Sequence, residues 1–557
     1  LRGAALRAQQ PDQVRDLDPA HAADPGSPGD GELAFAPARY ARTFQAWHEN
    51  IRDWCISRQL WWGHQIPVWN RNGTVEGAAT EVRAALETVD AGEAVPVSSR
   101  WTKAGAVHRA RQITDTDLVE SVCIPPANTL ARLDRDDASL DEAGLVAALE
   151  AEGYERDPDV LDTWFSSALW PMSTMGWPFP DDFPETEGLL EAFNPTSVLV
   201  TAREIITLWV SRMVMFNRYF LDGQLPFTDV FINAMVQDGH GQKMSKSLGN
   251  GVDPGDLIHS HGADAMRFTL VQMTTDTQDV RMPVDMVCPH SGETFTPEFL
   301  TTAAGHTVPA PIQTSPADPN KTMVSGYGVA SGLAEETADT PLARNTSTKF
   351  DLGRNFANKV WNAVRFALGR LDGATGLDDP VDITEARFAD RWIVARLGET
   401  VDRLDHAIAN YQFNVYADTL YSFIWNDVCD RYLEAVKPTV DDDPRQQVVL
   451  GAVLDAALRL MHPVCPFITE ALWPHVSAAR TGSIEGVRLP SNPLLATAAW
   501  PRIDSAIVDH DLTATFDRAN ALVTEIRTLR ATNQVKPRQR ITVHAPADVL
   551  ELIAEAG

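Results

Sequence analysis

The sequence contains two lysines three residues apart, with two glycines close by on each side. They lie in the segment Lys243-Met244-Ser245-Lys246-Ser247. Because the 557 residues include only eight lysines, this pair is an unusual local concentration of them. Two ammonium groups on a flexible loop can neutralise the negative charge that builds on phosphate groups during their transfer. The segment is therefore a candidate phosphate-binding loop.

Residues 196–236 must position this loop. They begin with a short apolar stretch, and the largely apolar run Thr228–Val236 ends them. Between these two runs, apolar side chains recur at helical spacing at Ile205, Trp209, Met213 and Phe216. This order predicts a strand, a helix and a buried parallel strand. Open α/β sheets bind ligands at the carboxyl ends of their strands, where the lysine segment begins.

Two aromatic segments could form a pocket for an apolar ligand. The first is Ile-Ser-Arg-Gln-Leu-Trp-Trp-Gly-His-Gln-Ile-Pro at 56–67, and the second is Asp-Val-Leu-Asp-Thr-Trp-Phe-Ser-Ser-Ala-Leu-Trp-Pro at 159–171. Rigid indole rings can close a pocket against an extra methylene group without offering polar partners. Taken alone, each segment could equally be an aromatic patch of the core.

Together with the lysine segment, the two aromatic segments resemble the class I aminoacyl-tRNA synthetases, and among these the valine-specific members. The isoleucine and leucine members share the Ile-Ser-Arg-Gln stem and the lysine loop, whereas Leu-Trp-Trp-Gly-His and Asp-Thr-Trp-Phe-Ser-Ser favour valine. The similarity continues in three later segments, which are residues 261–267, 353–362 and 462–467.

The resemblance implies an α/β Rossmann-like catalytic domain, present as its second half, followed by an all-α helical-bundle anticodon-binding domain. It also implies ATP-dependent ligation of L-valine to tRNA(Val) through a valyl-adenylate, with Mg²⁺ neutralising phosphate charge. The implied partners are tRNA(Val), L-valine and ATP. A monomer in the cytoplasm, without membrane association, is expected. The alternatives are a non-catalytic tRNA-binding relative and a synthetase specific for isoleucine or leucine.

Residue roles follow from the same resemblance. Lys243 and Lys246 would be the catalytic lysines, and Met244, Ser245 and Ser247 would bind ATP with them. The walls of the valine pocket would be Trp62, Val160 and Trp164. Glu204 and Trp209, on the predicted helix before the loop, either approach ATP or valine or serve packing.

The sequence departs from the family pattern in its catalytic motifs. A His-Ile-Gly-His segment is absent, and so is nearly all of the editing domain expected before Arg39. His64 belongs to a different motif. The resemblance therefore indicates an internal fragment, also lacking the C-terminal coiled-coil arm, that cannot activate valine alone. ATP–pyrophosphate exchange by the isolated chain would contradict this expectation.

Zinc is not supported, and no metal ligand is assigned. Many family members carry a zinc ribbon in the region matching residues 70–157, yet only Cys123 occurs there. Cys288-Pro-His-Ser-Gly lacks a second pair of ligands and is expected to be an unligated loop. The five cysteines lie far apart, which fits a reducing compartment.

Composition divides the chain into seven segments. They are a linker or editing-domain remnant (1–38), a catalytic segment (39–69), an acidic insertion (70–157), the second half of the catalytic domain with the lysine loop (158–282), a second insertion (283–350), the helical anticodon-binding domain (351–500) and a basic C-terminal segment (501–557). The first insertion is predicted to contain helical stretches rich in Ala and Glu, followed by an acidic run. The second, rich in Pro, Thr, Ala and Gly, is predicted to be partly disordered.

The formal charge of −29 argues at first against nucleic-acid binding, but the charge is unevenly distributed. Between residues 134 and 191 there are 16 acidic and two basic residues. The later segment 518–540 carries a local charge of +5, from Arg518, Arg527, Arg530, Lys536, Arg538 and Arg540 against Glu525. Net charge is therefore a poor guide to the partner of this protein.

Overall fold

The computed structural model describes residues 14–16 and 33–536 except 91, 276–278 and 375, together with residues 539 and 542. The predicted linker at 1–38 lies largely outside the described residues, as do Arg538 and Arg540 of the basic segment. The chain divides into two compact units, Leu1–Val230 and Phe231–Gly557.

The first unit is a mixture of helices and strands. Its strands are β1 (Val14–Asp16), β2 (Leu33–Ala36), β3 (Ser57–Arg58), β4 (Val68–Thr74), β5 (Ala94–Pro96), β6 (Val107–Gln112), β7 (Asp117–Cys123), β8 (Glu155–Arg156), β9 (Val160–Leu161), β10 (Thr196–Ala202) and β11 (Phe227–Asn233), whose last residues enter the second unit. Its helices are α1 (Arg39–Glu49), α2 (Thr80–Leu86), α3 (Arg100–Lys103), α4 (Ala127–Leu130), α5 (Glu142–Ala151), α6 (Thr163–Ser173), α7 (Leu189–Phe193) and α8 (Ser211–Phe220).

The predicted strand, helix and strand before the lysine loop are confirmed as β10, α8 and β11. The two strands are neighbours in a sheet with the order β1-β2-β11-β10. Met213 and Phe216 are buried on α8, as their spacing predicts. A π-helical turn (Ile206–Val210) precedes α8 and interrupts the α-helical spacing, and Trp209 on this turn is half-buried.

The helical stretches predicted in the first insertion include α2 and α5, but the centre of this insertion is a sheet that the sequence did not indicate. Its strands pair antiparallel in the order β5-β6-β7-β4-β8. The inward positions of β6 and β7 include His108, Ala110 and Glu120. Because polar and small residues occupy these buried positions, the alternation that reveals a strand was hidden.

A buried hydrogen-bond network fixes this sheet. The Glu120 carboxylate accepts hydrogen bonds from Tyr154 Oη at 3.0 Å, from Arg71 at 2.7 Å and from His108 Nε2 at 3.1 Å. Burial opposes ionisation, yet the hydrogen bonds from His108 and Arg71 lower the pKa of Glu120 to about 2. The buried charge is therefore well compensated.

The second unit contains short strands followed by long helices. Its strands are β12 (Val236–Asp238), β13 (Val280–Met282), β14 (Asp285–Val287), β15 (Thr294–Phe295), β16 (Phe299–Thr301), β17 (Thr307–Pro309), β18 (Ile312–Thr314), β19 (Thr322–Val324), β20 (Arg344–Thr346), β21 (Val487–Arg488) and β22 (Arg502–Ile503). Its helices are α9 (Pro254–His261), α10 (Ala263–Met273), α11 (Gly326–Ala330), α12 (Asp351–Leu371), α13 (Phe388–Ala409), α14 (Phe413–Tyr421), α15 (Leu433–Val436), α16 (Pro444–Met461), α17 (Pro466–Ala479) and α18 (His510–Thr532).

The second insertion is ordered, so the prediction of partial disorder is wrong. Antiparallel pairs form between β14 and β15, β14 and β20, β16 and β17, and β18 and β19. A small core of Met286, Cys288, Met323 and Ala343 lies among them. The composition conceals this fold because each strand is only two or three residues long and contributes few apolar side chains.

The predicted helical bundle is confirmed. On α13, Ile393, Leu397, Val401 and Leu404 are buried as their spacing predicts, whereas Ile408 is exposed near the end of the helix. Helix α16 begins at Pro444 after the N-cap Asp443, and every residue from Gln446 to Met461 is buried. A helix that is buried all round lies at the centre of a bundle. A π-helical stretch (Ser422–Tyr432) connects α14 to α15.

The three later segments of the family resemblance meet at the junction between α10, α12 and α17. Asp264 accepts the backbone N–H groups of Phe467 and Ile468 at 3.1 and 2.7 Å, so it satisfies two free donors at the start of α17. A Cβ on Gly353 would lie 2.5 Å from the carbonyl oxygen of Ala265. Asp264 and Gly353 therefore contribute to the packing of these helices. Among the described residues, no helix is both long and apolar enough to cross a membrane.

Candidate active site

The predicted strand Thr228–Val236 is divided in the structure: β11 ends at Asn233, and the lysine loop begins at the carboxyl end of β12, which belongs to a separate two-stranded sheet. Strand β12 pairs in parallel with β13. Lys243, Lys246 and Ser247 are exposed, whereas Met244 and Ser245 are half-buried. The two cationic side chains are therefore accessible from solvent, while Met244 and Ser245 are partly packed against the protein. Such a loop can bind an anionic ligand.

Asp238 and Asn250 close the base of this loop. The Asp238 carboxylate accepts the backbone N–H groups of His240 and Gln242, each at 2.9 Å, and the side-chain amide of Asn250 at 2.8 Å. Asn250 in turn accepts the backbone N–H of Ser245 at 2.9 Å. Although burial opposes it, the hydrogen bonds from Asn250 and Gln242 lower the pKa of Asp238 below its ordinary value. Sequence reasoning assigned neither Asp238 nor Asn250 a role.

In the first unit, the backbone brings the two aromatic segments together. Strands β3 and β9 pair antiparallel, and the backbone N–H of Leu161 donates to the carbonyl oxygen of His64 at 2.8 Å. Gly63 has φ +148°, and a Cβ there would lie 2.8 Å from Val160 Cγ2. Glycine is therefore required where the first segment passes over Val160.

The three predicted pocket residues differ in their surroundings. Val160 is buried and Trp164 is half-buried, whereas Trp62 is 89% exposed. Val160 thus lies against Gly63, the residue that follows Trp62, but the Trp62 indole is exposed to solvent. Their common role in a valine pocket stays a prediction.

Asp162 organises the aromatic segments, and sequence reasoning missed it. Its carboxylate forms an ion pair with Arg58, accepts the indole N–H of Trp54 at 3.1 Å and accepts the backbone N–H of Trp164 at 3.0 Å. Asp162 is also the N-cap of α6. An Asp directly before a helical apolar run is a known start signal, so this capping role could have been read from the sequence.

Trp209 has a structural contact. Its indole N–H donates to the carbonyl oxygen of Ser167 at 3.1 Å, which links the π turn to α6. Glu204 is exposed. Of the two interpretations left open for Trp209, the geometry favours packing. Within the described ranges, no group of three or more His, Cys, Asp or Glu side chains could hold a metal ion.

Two family models match the chain. The model for tRNA synthetases class I (I, L, M and V) matches residues 30–283, which include both aromatic segments and the lysine loop. The model for the anticodon-binding domain of tRNA ligase matches residues 390–545, which include α13 to α18. The chain belongs to the class I aminoacyl-tRNA synthetases. This confirms the predicted fold class, a synthetase catalytic domain followed by an anticodon-binding domain.

Curated relatives of this synthetase chain are valine–tRNA ligases. That of Rhodopirellula baltica is 37% identical over 519 residues, which cover 92% of this chain and 46% of the relative. That of Thermotoga maritima is 33% identical and that of Corynebacterium efficiens 34%, covering 92% and 94% of this chain and 43% and 44% of the relatives. The chain thus spans less than half the length of the curated relatives it matches.

Proposed function

We propose that this chain carries the ATP-phosphate loop, part of the valine pocket and the tRNA-binding bundle of a valine–tRNA ligase. The observation that carries the proposal is the lysine loop, which presents Lys243 and Lys246 to solvent from a base closed by Asp238 and Asn250. Similarity to valine–tRNA ligases along 92% of the chain supports the choice of substrate.

The reaction is the attack of the valine carboxylate on the α-phosphate of ATP, with release of pyrophosphate. Lys243 and Lys246 stabilise the negative charge that develops on the phosphates as the P–O bond to pyrophosphate breaks. Mg²⁺ bound to ATP supplies further charge neutralisation. A hydroxyl group of the terminal adenosine of tRNA(Val) then attacks the carbonyl carbon of the valyl-adenylate, which forms the ester bond to valine and releases AMP.

The helical bundle and α18 bind tRNA in this proposal. Arg518 and Arg527 are exposed on α18, within the residues matched by the anticodon-binding model. Exposed arginines give a salt-dependent attraction to the RNA phosphates. The double variant Arg518→Ala/Arg527→Ala should weaken binding of tRNA(Val) and reduce its dependence on salt concentration, as measured by filter binding between 50 and 200 mM salt.

Valine-dependent ATP–pyrophosphate exchange tests the proposal, measured on the product of the reading frame that contains these 557 residues. Lys246→Ala should reduce the exchange rate roughly 100-fold or more, because one preorganised charge on the phosphates is lost. Lys321→Ala is the matched control, since Lys321 is also exposed in the second unit, in the turn between β18 and β19.

Three other outcomes would change the assignment. Equal loss in Lys246→Ala and Lys321→Ala would remove the loop from the chemistry. Preferential exchange with isoleucine or leucine would reassign the substrate. Binding of tRNA without exchange for any of the three amino acids would favour a non-catalytic tRNA-binding relative.

A further inference from the structure

We propose that β14 to β20, residues 285–346, form a clamp that positions the lysine loop for the phosphates of ATP. We call these residues the clamp segment. The inference rests on the proposed function, because the clamp acts on the loop to which that function assigns ATP. It gives a role to an insertion for which the sequence suggested none.

The first foot of the loop is Gln242, immediately before Lys243. Its side-chain amide donates to the carbonyl oxygen of Thr307 at 2.6 Å and accepts the backbone N–H of Thr307 at 2.9 Å. Thr307 begins β17 of the clamp segment. The Gln242 side chain therefore bonds to the backbone of Thr307 in the way that an adjacent strand would. The two bonds together fix the distance and the orientation of the Gln242 amide relative to Thr307.

The second foot of the loop comprises Gly249 and Gly251, shortly after Ser247. The side-chain amide of Asn345 donates to both of their carbonyl oxygens, at 2.8 and 2.7 Å. Asn345 lies in β20 and pairs with Met286 of β14. Because Met286 is fully buried in the clamp core, Asn345 is mounted on a rigid part of the segment.

A close backbone approach supports the second foot. Gly249 has φ +58°, and a Cβ there would lie 2.0 Å from the backbone nitrogen of Tyr327. Such a distance is far inside van der Waals contact, so only glycine allows the loop to lie against the start of α11. The contact between loop and clamp segment is therefore tight as well as hydrogen-bonded.

Between the two feet, Lys243, Lys246 and Ser247 are exposed. The clamp thus fixes the ends of the loop while the lysines remain at its surface. Fixing the ends of the loop reduces the number of conformations open to the residues between them. The loop therefore loses less conformational entropy when a ligand binds and orders the lysines. Gln242 and Asn345 are accordingly positioning residues that act through the lysines.

Hydrogen–deuterium exchange of the full 557-residue chain tests the clamp without any need for activity. In Asn345→Ala and in Gln242→Ala, the amides of residues 243–251 should exchange about fivefold to tenfold faster, because each change removes the two hydrogen bonds that join one end of the loop to the clamp segment. Gln242→Ala also removes the hydrogen bond from the Gln242 amide to Asp238. The amides of β18 and β19 should exchange at the wild-type rate. Asn320→Ala is the matched control, since Asn320 is an exposed asparagine of the same segment.

Two exchange results would overturn the clamp. One is unchanged exchange in the loop of both variants. The other is equal acceleration throughout the clamp segment, which would show that the variants only loosen its fold. Gly249→Ala gives a second test, because its Cβ should push the loop away from Tyr327 although no residue of the clamp segment is substituted. The amides of the loop should again exchange faster than in the wild type.

Kinetics on the product of the intact reading frame separate the clamp from the proposed function. Asn345→Ala should raise KM for ATP several-fold and leave KM for valine unchanged, because the clamp acts on the phosphate loop alone. Equal rises in both KM values would contradict the clamp. If the wild type shows no valine-dependent exchange, the proposed function fails, and the exchange of loop amides still decides whether the clamp exists.

Discussion

The indole N–H of Trp54 donates a hydrogen bond to the buried carboxylate of Asp162, 108 residues further along the chain, at 3.1 Å. The guanidinium of Arg212 lies over the same indole, with its Cζ 4.0 Å from the ring centroid. Since Asp162 also pairs with Arg58 and caps α6, one carboxylate joins both aromatic segments.

We expect Asp162→Asn to lower the free energy of unfolding of the first unit by about 1–2 kcal/mol, because the amide retains the cap but loses the charge that faces Arg58. Urea unfolding followed by tryptophan fluorescence measures the change. Asp53→Asn is the control, since Asp53 is exposed and directly precedes Trp54 in the sequence. Equal midpoints for the two variants would show that Asp162 does not join the segments.

Local patterns were sufficient to predict part of this fold. The helices α13 and α8 were predicted because their apolar residues recur at helical spacing, and β10 and β11 were predicted from short apolar runs. The lysine loop follows a strand, but this strand is the short, partly buried β12 rather than the single buried strand 228–236 that the apolar run predicted. The correctly predicted features depend on residues that are neighbours in sequence.

The remaining features depend on partners that are distant in sequence. Glu120 is buried, but only its contacts with Arg71 and Tyr154 make that burial favourable, and a single sequence does not reveal such contacts. The same holds for Asn345, which reaches Gly249 across 96 residues. Because such contacts join residues that are distant in sequence, neither the sheet of the first insertion nor the role of the second was predicted.

His48 should make the stability of the first unit depend on pH. Its ring is buried between the carbonyl oxygen of Phe44 and the hydroxyl of Ser211, each 2.9 Å away. Burial lowers the pKa of His48 from 6.5 to about 4, although the hydrogen bond to Phe44 opposes this. Between these values the unfolded chain binds a proton that the folded chain does not, so stability falls as pH falls from about 6.5 to about 4.

The loss at His48 should approach roughly 3 kcal/mol by pH 4. His48→Gln removes the titrating group, and the variant should therefore show a shallower decline in urea midpoint over this pH range than the wild type. His259→Gln, at an exposed histidine, is the control and should keep the wild-type slope. Parallel profiles for His48→Gln and the wild type would refute the assignment.

Asp390 should have the opposite effect in the helical bundle. It accepts hydrogen bonds from Tyr432 Oη at 2.7 Å and from Gln446 Nε2 at 3.0 Å, with no cation bonded to it in the described structure. Burial raises the pKa of Asp390 to about 6, although both hydrogen bonds oppose the rise. Because the folded chain retains the proton longer than the unfolded chain, this contribution to stability is lost as pH rises from about 4 to about 6.

Asp390→Asn should therefore be more stable than the wild type at pH 8, by about 1–2 kcal/mol, since no charge has to be buried. At pH 4, where the wild-type carboxyl is protonated, this advantage should disappear. Thermal unfolding of both proteins at the two pH values measures the difference. A variant less stable than the wild type at pH 8 would mean that the hydrogen bonds to the carboxylate outweigh its burial.

A buried ion cluster joins α16 to the chain that follows α17. Asp455 pairs with Arg459 at 2.5 Å and with Arg480 at 3.0 Å, and Asp455 and Arg459 are almost fully buried. Arg459 also donates to the carbonyl oxygens of Ala499 and Pro490, each at 2.7 Å. The cluster therefore holds the segment before β22 against the central helix.

Asp455→Ala should destabilise the bundle by about 3–5 kcal/mol, because it leaves the Arg459 guanidinium buried without a counter-charge. Glu434→Ala is the matched control. Glu434 also pairs with a cation one helical turn away, Lys437, but both side chains are substantially exposed, so its loss should cost less than about 1 kcal/mol. Urea midpoints of the two variants give the comparison. If the double variant Asp455→Leu/Arg459→Met recovers most of the lost stability, the cost lies in the unpaired charge; if it does not, the hydrogen bonds to Ala499 and Pro490 are the larger contribution.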